Sequence, residues 1–391
     1  MRRNIVVMNL LVVFYWMSMY AYVPNLPEYA TALGADAIVL GVIGGVYGIA
    51  QVILRIPIGV ISDRAGKNKR MLAIGSLVLA LSCGILILAG NTGLIIAGRL
   101  IAGAAAAWWV IQSAAYADYF DDEKQVKAQG MLTASSNWGK LAASFIGGIM
   151  AQFFGVHSIF VFSFIIAIPC ILLPLWMKEK PDAPNTAAVS EKSAASLRDV
   201  LPLLRNRDLI VFSVIGILTN ILGFAAPILF TSVAAENLGA SSFDLGMLNT
   251  IFYLLAGGTS LFVGTKLYKK IGGIHALAIA FFLTGISCIP AFYHLNLAMI
   301  YVMQILIGVG FGIICAAVAG FVILCVPPGQ RGAATGIYQS LYGIGILVGP
   351  VLVGDITKAV SFDAAYWTLV GVAVFSALFC YIFIPKRYAR L

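Results

Sequence analysis

Apolar runs of membrane-spanning length recur along the whole chain. They lie near residues 4–26, 38–61, 71–90, 94–117, 128–152 and 157–177, and again near 208–233, 243–267, 274–293, 296–325, 332–357 and 364–384. A helix needs about 20 mostly apolar residues to cross a bilayer. Hydrophobic residues make up 61 % of the 391 and charged residues 10 %, against about 45–50 % and 25 % in soluble domains. These proportions exclude a water-soluble enzyme and a disordered chain. The apolar excess is spread over the full length, which also excludes a soluble domain on one anchor. The pattern predicts an all-α membrane protein with twelve transmembrane helices.

The only long polar stretch is 178–207, rich in Lys, Glu, Asp, Arg and Pro. It divides the chain into a bundle over 1–177, a linker over 178–207 with a short surface helix near Ser196–Leu204, and a second bundle over 208–391. With the N-terminus placed in the cytoplasm, Lys358 is the sole basic residue of the outer segments, and Arg55, Arg99 and Lys140 fall inside spans. All other Lys and Arg mark the inner side, the bias that sets orientation. Both termini are therefore expected in the cytoplasm, with the chain in the inner (plasma) membrane. The net charge of +9 is topological and no sign of a nucleic-acid partner. Arg2-Arg3 before an apolar run resembles a signal peptide, but no small-residue cleavage site follows, so a retained first helix is expected. The six cysteines sit in apolar runs without metal-ligand spacing and read as small buried hydrophobes. No metal site or cofactor is expected.

The two sets of spans repeat with a shift of 205 or 206 residues. Leu33-Gly34 falls on Leu238-Gly239, Gly41 on Gly246, Gly66 on Gly272, and Gly130, Gly139 and Gly148 on Gly336, Gly345 and Gly354. An even number of spans separates the copies, so they share orientation. Two pseudo-symmetric six-helix bundles with a substrate site between them near mid-membrane are the expectation.

The segment from Gly59 through Asp63, Arg64, Gly66 and Lys67 to Arg70 resembles the loop signature of the major facilitator superfamily between its second and third helices, G-x-x-x-D-R-x-G-R-K. Arg99-Leu-Ile-Ala-Gly103 resembles the superfamily's fourth-helix motif, and Gly130, Gly139 and Gly147-Gly148, with Gly336, Gly345 and Gly349-Pro350, resemble its fifth-helix antiporter motif. The resemblance covers the whole chain and lies nearest the drug:proton antiporter branch. It implies that Asp63 latches the cytoplasmic side against the eleventh helix, with Lys67 and Asp118 in its charge relay and Gly59, Arg64 and Gly66 completing the latch segment. Independently of the family, Gly59 permits close helix packing, and Asp63 suits the N-terminal end of a neighbouring helix. The plain alternative is that these charges set topology and solvate a loop.

Ionisable residues inside a membrane are expensive and usually functional. Arg99 lies about 12 Å below the outer end of its helix and Lys140 about 20 Å from Lys127, counting 1.5 Å per residue. Thr133, Ser136, Asn137, Lys140 and Ser144 share one side of the fifth span, a face that suits water and not lipid. Arg55 is close enough to the inner surface to snorkel, and that reading is preferred for it. No Asp or Glu lies deep in a span. Histidines at loop edges argue against buried metal or histidine catalysis. Tyr15, Tyr20, Tyr22, Trp108, Trp109, Trp138, Asn249, Tyr253, Gln304, Tyr338, Gln339 and Tyr342 are available to complete a site, each also explicable as packing. The substrate set is Arg99, Lys140, Asn137, Tyr20, Tyr253, Gln304 and Tyr338. Because the family places the first helix beside the fourth, a Glu28–Arg99 pair is the candidate for proton coupling.

The expected function is secondary active transport by alternating access in a monomer that binds a small molecule and protons. The substrate is expected to be an amphiphilic anion or zwitterion, because buried cations lack acidic partners; proton-coupled efflux is what the resemblance to the antiporter branch implies. No G-x4-G-K-[ST] loop for nucleotide drive is present. A lipid or lysolipid flippase of the same fold, an exporter of neutral drugs, and a non-transporting membrane receptor are the alternatives.

Overall fold

The computed structural model describes residues 2–65, 68–117, 119–120, 125–177, 202–226, 230–262, 271–327 and 331–390. The long helices are α1 (Arg2–Tyr20), α2 (Ala37–Ala65), α3 (Asn68–Ile87), α4 (Thr92–Ala107, continued beyond Trp108 by Trp109–Ala117), α5 (Gln125–Phe154) and α6 (Val156–Leu172). They continue with α7 (Arg207–Ala225), α8 (Ser242–Phe262), α9 (Gly273–Ser287), α10 (Leu297–Leu324), α11 (Arg331–Ala359) and α12 (Phe362–Phe383). Short helices Leu26–Ala32 and Thr231–Asn237 follow α1 and α7. Both chain termini lie at the end called proximal here; the opposite end is distal.

Nine of the described helical segments are long and apolar enough to span a membrane. The other three long helices are α5 and α8, which are not among the nine, and α9, an apolar helix of 15 residues. Helices α5 and α8 pack on each other, with Asn137 of α5 against Gly257 of α8.

Helix pairing repeats with a step of six. Helix α1 packs on α5 and α6, as α7 packs on α11 and α12; α4 packs on α2 and α3, as α10 packs on α8 and α9; α3 meets α6 as α9 meets α12. The halves join where α2 meets α11 and α5 meets α8. Gly41 and Gly354 make the first crossing: a Cβ on Gly41 would stand 2.7 Å from the Pro350 carbonyl oxygen and 3.4 Å from Gly354 Cα. Gly246 and Gly148 make the second, where a Cβ on Gly246 would stand 2.6 Å from Gly148 Cα. These are the glycines that the internal repeat superposes. Gly139 and Gly345 serve packing inside each half, against the backbone of Val13 and of Ile217.

The repeat extends to chain reversals and caps. Gly34 and Gly239 adopt φ +87° and +82°, a conformation that costs glycine little. The Asn91 side chain accepts from Leu94 N and the Asn296 side chain from Met299 N, each at 2.9 Å, starting α4 and α10 alike.

The distal end ties the halves together. Lys358 pairs with Asp36, Asn25 Nδ2 donates to the Ser242 carbonyl at 3.0 Å, and the Ser242 hydroxyl reaches Glu28 Oε2 at 3.1 Å. Of the linker, the described part includes a 3-10 turn over Leu203–Arg205; the expected helix near Ser196–Leu204 lies mostly outside the described residues.

Candidate functional site

The half-buried Lys140 side chain places its ammonium beside three aromatic rings. Its Nζ lies 4.3 Å from the Trp16 ring centroid, 5.0 Å from Tyr20 and 5.9 Å from Tyr253. The first two rings come from α1 and the third from α8, so the cage spans both halves. Tyr20 and Tyr253 meet edge to face at 5.7 Å, and Trp16 meets Trp109 at 5.5 Å. Cation–π contacts of this kind are worth roughly 0.5–2 kcal/mol each. Two donors of the cage, Trp16 Nε1 and the Tyr253 hydroxyl, are buried without a hydrogen-bond partner.

Arg99, 6 % exposed, lies over the Tyr47 ring at 4.4 Å and its Nε donates to the Ile43 carbonyl at 3.4 Å. It therefore also ties α4 to α2. Tyr47 stacks on Phe224 of α7 across the half interface, with centroids 6.3 Å apart. Glu28 does not face Arg99: its oxygens take the Ser242 hydroxyl and the Asn25 amide. The expected Glu28–Arg99 pair is not formed, because Glu28 sits on the short helix beyond α1 while Arg99 turns toward α2.

Arg55 departs from the reading as a snorkelling residue. It is 3 % exposed; its guanidinium donates to Gln51 Oε1 on its own helix and to the Gln339 carbonyl on α11. It also lies 4.9 Å from the Tyr342 ring centroid. The α2–α11 contact closes over the side chain and replaces water with a carbonyl, an amide and an aromatic face. The sequence signal for this was Gln51, four residues back on the same face.

Among the other expected site residues, Tyr338 is buried against Tyr342 at 5.3 Å. Gln304 is 2 % exposed on α10, and Asn137 faces Gly257 at the α5–α8 contact. The structure thus brings Lys140, Tyr20 and Tyr253 together, while Tyr338 falls on the α2–α11 side beside the Arg55 cluster. Trp138 is 60 % exposed and belongs to the outer surface. Tyr15 and Trp108 are engaged in structure, donating to the carbonyls of Ala105 and Met71. The side chains of Gly59, Asp63, Arg64, Gly66, Lys67 and Asp118 lie outside the described residues, as therefore does the expected latch.

No group of three or more His, Cys, Asp or Glu side chains that could hold a metal occurs among the described residues. The centre is thus cationic and aromatic, with carboxylates confined to helix ends and loops.

The sequence model of the Major Facilitator Superfamily matches residues 8–233 and again 210–391. The multidrug resistance protein MdtG of Citrobacter koseri is 25 % identical over 339 residues, covering 85 % of this chain and 82 % of that protein. Among solved structures, a point mutant of the nucleoside transporter NupG superposes with a TM-score of 0.78 at 16 % identity, covering 98 % of this chain and 100 % of that one. The human organic anion transporter MFSD10 superposes with a TM-score of 0.64 at 17 % identity, covering 97 % and 99 %. The two likenesses to solved structures establish the fold, and the match of both halves to the family establishes descent: this chain is a multi-pass membrane protein belonging to the Major Facilitator Superfamily of transporters.

Proposed function

We propose that this chain is a secondary exporter of amphiphilic anions or zwitterions. Its rocking units are residues 1–177 and 208–391, joined by 178–207, with the proximal end in the cytoplasm. The observation that carries the reading is Lys140 in its aromatic cage with no carboxylate at its depth. A buried ammonium without a counter-charge is costly. A carboxylate or phosphate on the substrate supplies that charge, and the unpartnered donors of Trp16 and Tyr253 are free to meet its oxygens. The cage rings hold the apolar part of the same molecule. Export is favoured by the 25 % identity to a multidrug resistance protein, and the cytoplasmic placement by the bias of Lys and Arg.

A second reading has its own support. The cage already holds Lys140 through cation–π contacts, so the lysine can be self-satisfied while the site takes neutral aromatic compounds. Transport of a matched acid and its amide in proteoliposomes separates the two. Wild type is expected to prefer the acid, and Lys140→Gln to lose about tenfold or more of acid transport with amide transport kept, the loss of a charge-assisted bond of about 1.5–3 kcal/mol. Preference for the amide or a cation, or unchanged acid transport in Lys140→Gln, overturns the anion reading.

A further inference from the structure

The short helices Leu26–Ala32 and Thr231–Asn237 come from opposite halves and touch each other at the distal end. Each carries one carboxylate, Glu28 on the first and Glu236 on the second. Glu28 is well provided for, receiving the Ser242 hydroxyl at 3.2 and 3.1 Å and the Asn25 amide at 3.5 Å. Glu236 is not: its Oε1 is buried with no partner, and Glu28 stands near enough to repel its charge.

The groups around Glu236 offer no relief. Glu28 shares its helix with Tyr29, whose hydroxyl donates to the Ala89 carbonyl. From the turn Pro290–His294, which packs on the Glu236 helix, Tyr293 donates to the Ser287 carbonyl and His294 is taken by Asp363. From α10, also packed there, Tyr301 donates to Asp244. Thr231, at the start of the same helix, is bonded to Tyr366. The cation of this end, Lys358, is paired with Asp36. Among these described neighbours none is a cation free to compensate Glu236.

We propose that Glu236 is a proton-binding site that works as a catch on the distal gate. With a proton on Glu236 the two short helices stay together. Without it, two like charges face each other across the half interface and drive the gate apart. The proton comes from water on the distal side and returns there. Burial and then the Glu28 charge push the Glu236 carboxyl up to about 7, against about 4.3 for a solvated glutamate.

The sign follows from linkage. The closed arrangement binds the proton more tightly than an open, solvated one, so closure is favoured at low pH and is lost as pH rises through about 7. Between the two pKa values the closed-to-open ratio falls about tenfold per pH unit.

The test is a spin-label distance across the distal end in the full chain reconstituted in nanodiscs, with the six native cysteines replaced. Labels at Leu88 and Leu295, which are 75 % and 58 % exposed, report on the two halves. The wild-type distance is expected to lengthen between pH 5.5 and 8.5. Glu236→Gln, which mimics the protonated carboxyl in size and charge, is expected to hold the short distance throughout. Glu28→Gln is expected to shrink the pH response. A wild-type distance that does not change with pH overturns the proposal even if neither variant folds, and so does a full pH response in Glu236→Gln. No substrate enters the measurement, so a failure of the anion reading leaves this result unaffected.

Discussion

The two halves share a skeleton and differ in chemistry. Gly103 of α4 presses on the backbone of Tyr47, and Gly308 of α10 presses on the backbone of Phe252, with Cβ positions 2.3 and 3.0 Å from the respective carbonyl oxygens. One turn earlier on each helix the correspondence breaks: the N-terminal half places Arg99, the C-terminal half Gln304. The same division holds across the centre. Arg55, Arg99 and Lys140 all come from the N-terminal half; Tyr253, Phe224, Tyr342 and the Gln339 carbonyl come from the C-terminal half. Glycine crossings set how the helices meet, and any substitution there acts on both partners at once. Side chains facing the centre differ between the halves, as Arg99 and Gln304 do. The repeat therefore carries the geometry, while the charge asymmetry carries the chemistry.

This division is broken most severely at the crossings. Gly246→Val and Gly41→Val are expected to destabilise by about 1–3 kcal/mol or more, since overpacking forces backbone to move. Thermal unfolding in detergent measures both. A large loss in one with full tolerance of the other would show that the two half-to-half contacts are not equivalent.

The next largest effect is expected at Arg99 and Gln304. Arg99→Gln removes a cation that also ties α4 to α2, so both stability and acid transport fall, the latter by about tenfold if its charge serves the substrate. Gln304→Leu removes no charge and should lower acid and amide transport alike. Comparing the acid-to-amide ratio in the two variants checks the asymmetry; an equal change in both would place the charge selectivity elsewhere.

The smallest effect tests the symmetry of the skeleton. Asn91→Ala and Asn296→Ala each lose the cap of a pseudo-equivalent helix, a cost of about 0.5–2 kcal/mol. Equal shifts in melting temperature are expected. Unequal shifts would show that one half relies on its fourth helix more than the other.

Much of this was legible along the chain. Apolar runs are a local property, and they marked out the helices before any contact was known. The repeat was legible because glycines needed for close approach recur at a fixed interval; Gly41, Gly148, Gly246 and Gly354 turned out to be the contacts between halves. Lys140 was legible as out of place, a charge in the middle of a span.

What surrounds each charge was not legible, because partners within the membrane come from helices far apart in sequence. Lys140 and Tyr253 are on α5 and α8, and Arg55 and Gln339 are separated by 284 residues. Arg55 looked able to reach water until α11 closed over it; Trp138 looked able to join a site until its face of α5 turned outward, 60 % exposed. Glu28 was expected to meet Arg99, until the halves met and set it beside Ser242. Which stretches are apolar enough to form long membrane helices is written in local composition, because transfer from water to lipid is decided residue by residue along a helix. Which charges are caged, bridged or left without a partner is settled in three dimensions, because that depends on which faces of separate helices come together.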